Sequence, residues 1–253
     1  MVTYTFEKLY ADLVTDDGTV CIVYLTWTSL LGVRQGSAGY ELYTPDGRRE
    51  VGHAIAAPSC PPDLDAPEWT VRFDLPDGPL ELHHRVRRGG WVPDGLLPSL
   101  HWSVKAACSD AVLRIGDREL RGRGYADWVE LGRPPRSLGL ARLDWGRAHV
   151  GDEVVVWNRV TRADGGAWTG ALGVAASIDE AGLPRDVELD GGRVLHEGPA
   201  LDEARFPSPI TRALASLLSP PMHETRWVSR ARIAGLPGRG WAVHELVHFG
   251  TSP

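Results

Sequence analysis

GRGYADWVELGRPPRSLGLARLDWGRAHVGDEVVVWNRV, residues Gly122–Val160, is the stretch on which the fold turns. Two strand-like runs flank a Gly/Pro-rich break. The break carries Asp127 and Glu130 among Tyr125, Trp128 and Trp145. Carboxyl groups among aromatic rings lose solvation, which raises their pKa and lets them deliver a proton.

Outward from this stretch, turn signals punctuate the whole chain. Asp16-Asp17-Gly18, Pro45-Asp46-Gly47, Pro76-Asp77-Gly78, Pro93-Asp94-Gly95 and Asp164-Gly165-Gly166 each separate β-prone runs. Val20–Trp27 is almost continuously apolar, as for a strand covered on both faces. Trp69, Val71 and Phe73 alternate with polar residues, as do Leu80, Leu82, His84 and Val86. Val112–Ile115, Leu138–Leu143, Val154–Val160, Trp168–Ser177, Arg226–Ile233 and Trp241–Phe249 are the remaining strand candidates. One helix is expected near 209–218, with Ser208 as cap, Pro209 in the first turn and Ser219-Pro220-Pro221 as stop. Many short strands with almost no helix predict an all-β chain of antiparallel sandwiches or barrels. The weakest joint is Gly132-Arg133-Pro134-Pro135, which divides the chain into β domains at 1–132 and 133–253.

Composition bounds the function. With 253 residues, 43% of them hydrophobic and 24% charged, the chain reads as a soluble globular protein with a sizeable core. A net charge of −6 and the lack of any Lys/Arg-rich run argue against a nucleic-acid partner. Cys21, Cys60 and Cys108 are odd in number and widely spaced, which suits reduced thiols in a cytoplasmic setting. The N-terminal residues lack the pattern of a signal peptide, and no apolar run approaches the ~20 residues of a membrane span. Ten tryptophans suit both a core and a large apolar cavity.

Several segments, in order, resemble the carotenoid hydratase (hydroxyneurosporene synthase) family and its lipocalin-like relatives, among them natural-product cyclases. Near the N-terminus the resemblance rests on Phe6-Glu7-Lys8-Leu9-Tyr10-Ala11-Asp12 followed by Thr15-Asp16-Asp17-Gly18. In mid-chain it rests on His101-Trp102, on Gly122-Arg123-Gly124-Tyr125-Ala126-Asp127-Trp128-Val129-Glu130, and on Trp145-Gly146-Arg147-Ala148-His149. The family signature reads Gly-x-Gly-Tyr-His-Asp-His-Asn-Trp-Gly. This chain keeps the aspartate as Asp127 and has Ala126, Trp128 and Val129 where the family has His, His and Asn. The resemblance implies two lipocalin-like (calycin) β-barrels or sandwiches packed together around an apolar cleft. The chemistry implied is cofactor-free cyclisation of a polyunsaturated substrate or addition of water to it.

Within that frame Asp127 is the expected acid, with Tyr125 beside it and His149 orienting the substrate. Tyr10, Glu7, Trp102, Trp128, Trp145 and Glu130 are the expected substrate-binding residues. An aromatic face next to the acid would stabilise the carbocation formed on protonating an alkene. The alternative for Asp127 is a turn cap or an Arg pair. Tyr10 and Asp12 share one face of a strand and Leu9 and Ala11 the other; an interior face would line a ligand site and an outer one would be solvated. Trp145, Arg147 and His149 share a face and could grip a polar substrate end, although Arg147 better suits a carboxylate partner and His149 suits either a substrate or a structural hydrogen bond.

His244-Glu245-Leu246-Val247-His248 matches the zinc-protease pattern formally. Its flanks read as a strand, where residues four apart lie about 13 Å from each other, too far to share one zinc. His83 and His84 point to opposite faces, and His223-Glu224 sits in a loop or cleft lining that the sequence leaves open. No nucleophile elbow, phosphate loop or dinucleotide fingerprint is present. The expectation is therefore a cyclase without metal or organic cofactor, acting on a long apolar terpenoid or polyketide. A hydratase, or a non-catalytic lipid or pigment carrier, is the alternative. The partner is a hydrophobic small molecule, and no oligomeric state is assigned.

Overall fold

A computed structural model describes residues 4–54, 58–93, 97–173, 178, 179, 182–200, 212, 213, 216 and 218–250. The chain divides into two compact units, one of residues 1–134 and 204–207, the other of residues 135–203 and 208–253.

The first unit holds β1 (Tyr4–Val14), β2 (Val20–Leu30), β3 (Val33–Tyr43), β4 (Arg49–His53), β5 (Glu68–Leu75), β6 (Gly78–Arg88), β7 (Leu100–Ile115) and β8 (Arg118–Leu131). They form one eight-stranded antiparallel sheet in the order β4-β3-β2-β1-β8-β7-β6-β5. Two four-stranded meanders are thus stitched together where the first strand of the unit pairs with its last. Leu9, Leu13, Val23, Trp27, Leu42, Trp69, Phe73, Leu82, Leu113 and Trp128 point to one face and form a single buried cluster. Edge and central strands share this cluster, so the sheet curls around it. Its aliphatic and aromatic side chains each contribute roughly 1.5–3 kcal/mol of burial.

The second unit repeats the plan with fewer strands: β9 (Leu140–Val150), β10 (Glu153–Arg162), β11 (Ala167–Leu172), β12 (Val187–Pro199), β13 (Met222–Ile233) and β14 (Gly240–Phe249). Their order is β11-β10-β9-β14-β13-β12, again with first strand on last. The core here is smaller and includes Ala148, Val155, Trp157, Ala231 and Ala242.

Glycines inside the seam strands make room for large neighbours. At Gly124 in β8 a Cβ would lie 2.6 Å from Ser109 Oγ and 2.7 Å from the His84 ring. At Gly146 in β9 it would lie 2.2 Å from Trp157 Cζ2. These contacts require glycine for close approach within a strand.

Two expectations change. Asp127 and Glu130 do not lie in a break: both are in β8, which runs unbroken from Arg118 to Leu131. The Gly122 and Gly124 that suggested a break serve the packing just described. Strands β3, β4 and β12 were not expected, since Gly36 and Gly39 interrupt the first and Gly191-Gly192 accompany a register shift in the last. The helix expected near 209–218 falls mostly outside the described residues, as do residues 174–177 of the expected Trp168–Ser177 strand. Among the described residues no helix is long and apolar enough to cross a membrane.

Candidate active site

The seam of the first unit places the sequence-expected residues. Register pairs Tyr10 with Asp127, Asp12 with Tyr125 and Leu9 with Trp128. On the other side of β1, Tyr10 pairs with Tyr24 and Asp12 with Ile22. Alternation along the strands then sorts the side chains. Leu9, Ala11, Ala126 and Trp128 enter the core, whereas Tyr10, Asp12, Tyr125 and Asp127 project from the opposite face. That face is buried too: Asp12 is 0% exposed, Tyr125 0%, and Tyr10 and Asp127 5% each. Neither sequence reading of Tyr10 and Asp12 anticipated this. They lie on the face away from the core, and they are buried.

Hydrogen bonds hold each carboxylate in this setting. Tyr125 Oη donates to Asp127 Oδ2 at 2.9 Å, and the Trp102 indole donates to the same carboxylate. Tyr10 Oη donates to Asp12 Oδ2 at 3.0 Å, and the backbone N–H of Tyr125 donates to Asp12 Oδ1 at 3.1 Å. Burial is the main influence on Asp127 and pushes its carboxyl up to about 6. The Trp102 bond, the Lys8 charge and the Tyr125 bond pull it down, and the Asp12 charge pushes it further up.

Aromatic rings wall the acid. Tyr10 meets Tyr24 edge-on at 5.6 Å and Tyr125 at 6.1 Å between centroids. Trp91 meets Trp102 edge-on at 5.5 Å, which orients the indole. Lys8 Nζ lies 4.9 Å from the Tyr24 ring centre. The β7 register shifts between Val104 and Ala106, and Val104 pairs with Asp127. This bulge beside the carboxyl is of the kind that re-aims side chains near functional sites.

The structure brings together Asp127, Tyr125, Tyr10 and Trp102. Glu7, Trp128 and Glu130 face the other way. Glu7 binds Arg34 at 2.7 Å, and the Trp128 indole donates to Glu130 at 2.7 Å. Trp128 stands one residue after Asp127 on an unbroken strand, so period 2 turns it away and Trp102 takes the place expected for it. Asp12, Tyr24, Lys8 and Trp91 are added to the set. One sequence signal could have found Asp12: the tripeptide Tyr-Ala-Asp occurs both at 10–12 and at 125–127.

In the second unit Trp145, Arg147 and His149 share the face of β9 away from the core, next to Glu245 of β14. Arg147 Nη1 lies 2.8 Å from His149 Nδ1. A guanidinium can only donate, so Nδ1 accepts and His149 carries its proton on Nε2. This makes His149 a hydrogen-bond donor through Nε2. Arg226, 2% exposed, binds Glu224 at 2.7 Å and Glu245 at 2.6 Å. The zinc-protease pattern lies on strand β14, where Glu245 serves Arg226. His244 faces the other way, stacked on Trp227 with centroids 5.1 Å apart, and bonds Ser229 at 3.0 Å. Burial holds its pKa down to about 4.

Several solved structures have a similar fold. CghA, crystallised with Sch210972, superposes at a TM-score of 0.62 with 14% identity, covering 99% of this chain and 90% of CghA. The fold is lipocalin-like. An ATTH-like protein from Nitrosomonas europaea follows at 0.51 and 12% identity, covering 96% of this chain and 92% of its own. Kievitone hydratase from Nectria haematococca stands at 0.49 and 8%, covering 97% and 89%. No protein-family model and no curated protein matches the sequence.

Proposed function

We propose that this chain is a cyclase that protonates a C=C bond of a long apolar terpenoid or polyketide with Asp127. The observation that carries the reading is the Asp127 carboxyl: buried, fixed by Tyr125 and Trp102, and raised to about 6. At neutral pH a usable fraction of such a group is in its acid form, unlike an ordinary aspartic acid. Ring faces of Tyr10, Tyr24 and Trp102 supply the quadrupole attraction that a developing carbocation needs. The structure of CghA with Sch210972 supports a small organic ligand for a protein of this fold.

Capture of the same cation by water would instead make the protein a hydratase. Ring closure is favoured because the side chains around Asp127 are mainly aromatic rings, and Tyr125 and Trp102 are already committed to the carboxylate.

Incubation of the purified protein with farnesol, geranylgeraniol and a linear polyene acid in D₂O, followed by mass spectrometry, tests this reading. Cyclisation yields an isomer with one new C–D bond; hydration yields a product heavier by one water. Asp127→Asn should lower turnover about 10²–10⁴-fold. Turnover by the variant equal to that of the parent would remove Asp127 from the chemistry. Activity should fall as pH rises through about 6, because the acid form is the active one.

A further inference from the structure

Most hairpin turns of this chain are acidic. Asp16-Asp17-Gly18, Pro45-Asp46-Gly47, Pro76-Asp77-Gly78 and Gly116-Asp117 close four hairpins of the first unit, and Gly151-Asp152 and Asp164-Gly165-Gly166 close two of the second. The turn between β2 and β3 is instead Leu31-Gly32. Both residues have positive φ, 54° and 82°, the primed two-residue turn for which Asn-Gly or Asp-Gly is the usual pair. Leucine is disfavoured in this backbone region and has no short polar group that could bond locally in return. Packing does not compensate: Leu31 is 71% exposed, and so is Val33 beside it. Leu236, in the β13–β14 turn, packs on the core of its unit. A strained leucine that its own chain leaves largely uncovered points to a contact made outside the chain.

The tip stands at the end of the first sheet away from its four acidic turns. Leu30 opposes Tyr4 at the start of β1, and Leu100, at the start of β7, opposes Leu131 at the end of β8. Trp91 bridges Val104, so Val92, 57% exposed, also lies toward this end. Three of the four exposed large hydrophobics among the described residues are therefore here. Charge is scarce as well. Within residues 26–37 only Arg34 is charged, against about one residue in four over the whole chain, and Arg34 is bound to Glu7 at 2.7 Å. Behind the tip the two strands carry Thr28, Ser29, Gln35 and Ser37, polar side chains without charge.

We propose that the β2–β3 tip is a lipid-docking element that inserts Leu31 and Val33 into the interfacial region of a bilayer. Size argues against a protein partner: a stable interface uses about 800 Å² on each side, and two side chains at a hairpin turn present far less. A bilayer sets no such requirement, and its hold grows with whatever apolar area enters it. The attraction is apolar rather than electrostatic, because the tip's single cation is paired and the chain carries a net charge of −6. The long apolar substrate proposed above would dissolve in such a surface, but the docking is argued from the tip alone.

Flotation of the full chain with phosphatidylcholine vesicles tests this. The parent should bind, and high salt should leave the binding unchanged, since salt screens only charge. Leu31→Asn should weaken binding about 10–100-fold. Its urea midpoint should nevertheless stay at or above the parent's, because Asn-Gly suits the primed turn. Val33→Ser, which leaves the turn residues alone, should also weaken binding. A parent that does not float with the vesicles would overturn the proposal, and so would a Leu31→Asn protein that binds as well as the parent. Binding confined to vesicles containing phosphatidylglycerol and abolished by salt would overturn it too, by placing the contact on charge. Sedimentation equilibrium supplies the last arm: a dimeric parent and a monomeric Leu31→Asn protein would assign the tip to a second copy of the chain instead. No substrate enters these measurements, so lipid docking and the cyclase reading fail separately, the first here and the second in the turnover assay.

Discussion

Replacing Asp127 by Asn should make the protein more stable above pH 6 while removing its acid. The Asp127 carboxyl is raised from 3.8 to about 6 by burial. About two pH units at 1.36 kcal/mol each amount to about 3 kcal/mol. The sign follows from proton binding. The folded chain holds this proton more tightly than the unfolded chain, so the group's stabilising contribution is complete below pH 3.8. It is lost as pH rises to about 6 and stays lost above. Asn has the same shape, carries no charge at any pH, and avoids that loss. Its advantage over the parent should be about 1.6 kcal/mol at pH 5 and about 3 kcal/mol at pH 8. Urea unfolding of both proteins at the two pH values, followed by tryptophan fluorescence, measures the difference directly. A variant that is less stable than the parent by the same amount at both pH values would refute the reasoning. Asp127 would then be an ordinary, favourably held carboxylate, and no stability would be invested in acidity.

Trp102→Phe removes the indole donor that lowers the Asp127 pKa. The carboxyl midpoint should therefore move upward, read by carboxyl-carbon NMR of protein labelled with ¹³C at aspartate, and a downward move would contradict the assigned bond. Gly146→Ala forces a methyl to within 2.2 Å of the Trp157 ring and should cost about 1–3 kcal/mol, seen as a lower urea midpoint and an altered near-UV circular dichroism signal. Arg226→Met removes a buried cation that Glu224 and Glu245 both bind and should destabilise by about 3–5 kcal/mol. Adding Glu245→Gln should recover part of that loss, and strict additivity of the two changes would argue against the pair.

The strand content was legible because turn residues and period-2 alternation are local signals. Val20, Trp69 and Leu80 mark their strands without reference to anything distant. What could not be read was the seam: no local pattern in Tyr4–Val14 says that it will pair with Arg118–Leu131. Asp127 was readable as a carboxyl among aromatics but misplaced in a break, because Gly122 and Gly124 look like loop residues until His84 and Ser109 are set beside them. Trp128 was assigned to the acid by nearness in sequence, whereas on a strand the next residue always faces away. Trp102 and Asp12, which do hold the site, come from elsewhere in the chain. The repeated Tyr-Ala-Asp was in plain view, yet it acquires meaning only when antiparallel register lays one copy on the other.

The pairing of first strand with last also fixes when the acid comes into being. Tyr10 and Asp127 are 117 residues apart in the chain and adjacent in space. Contacts of such long range are the slow ones to form, since the loop between them must be closed before they contribute. During synthesis the N-terminal meander can assemble early, but Asp12 has no Tyr125 amide and Asp127 is not buried until β8 docks. The raised carboxyl is thus a late product of folding. Its titration would report completion of the first unit as a single event, with no partly formed acid active along the way.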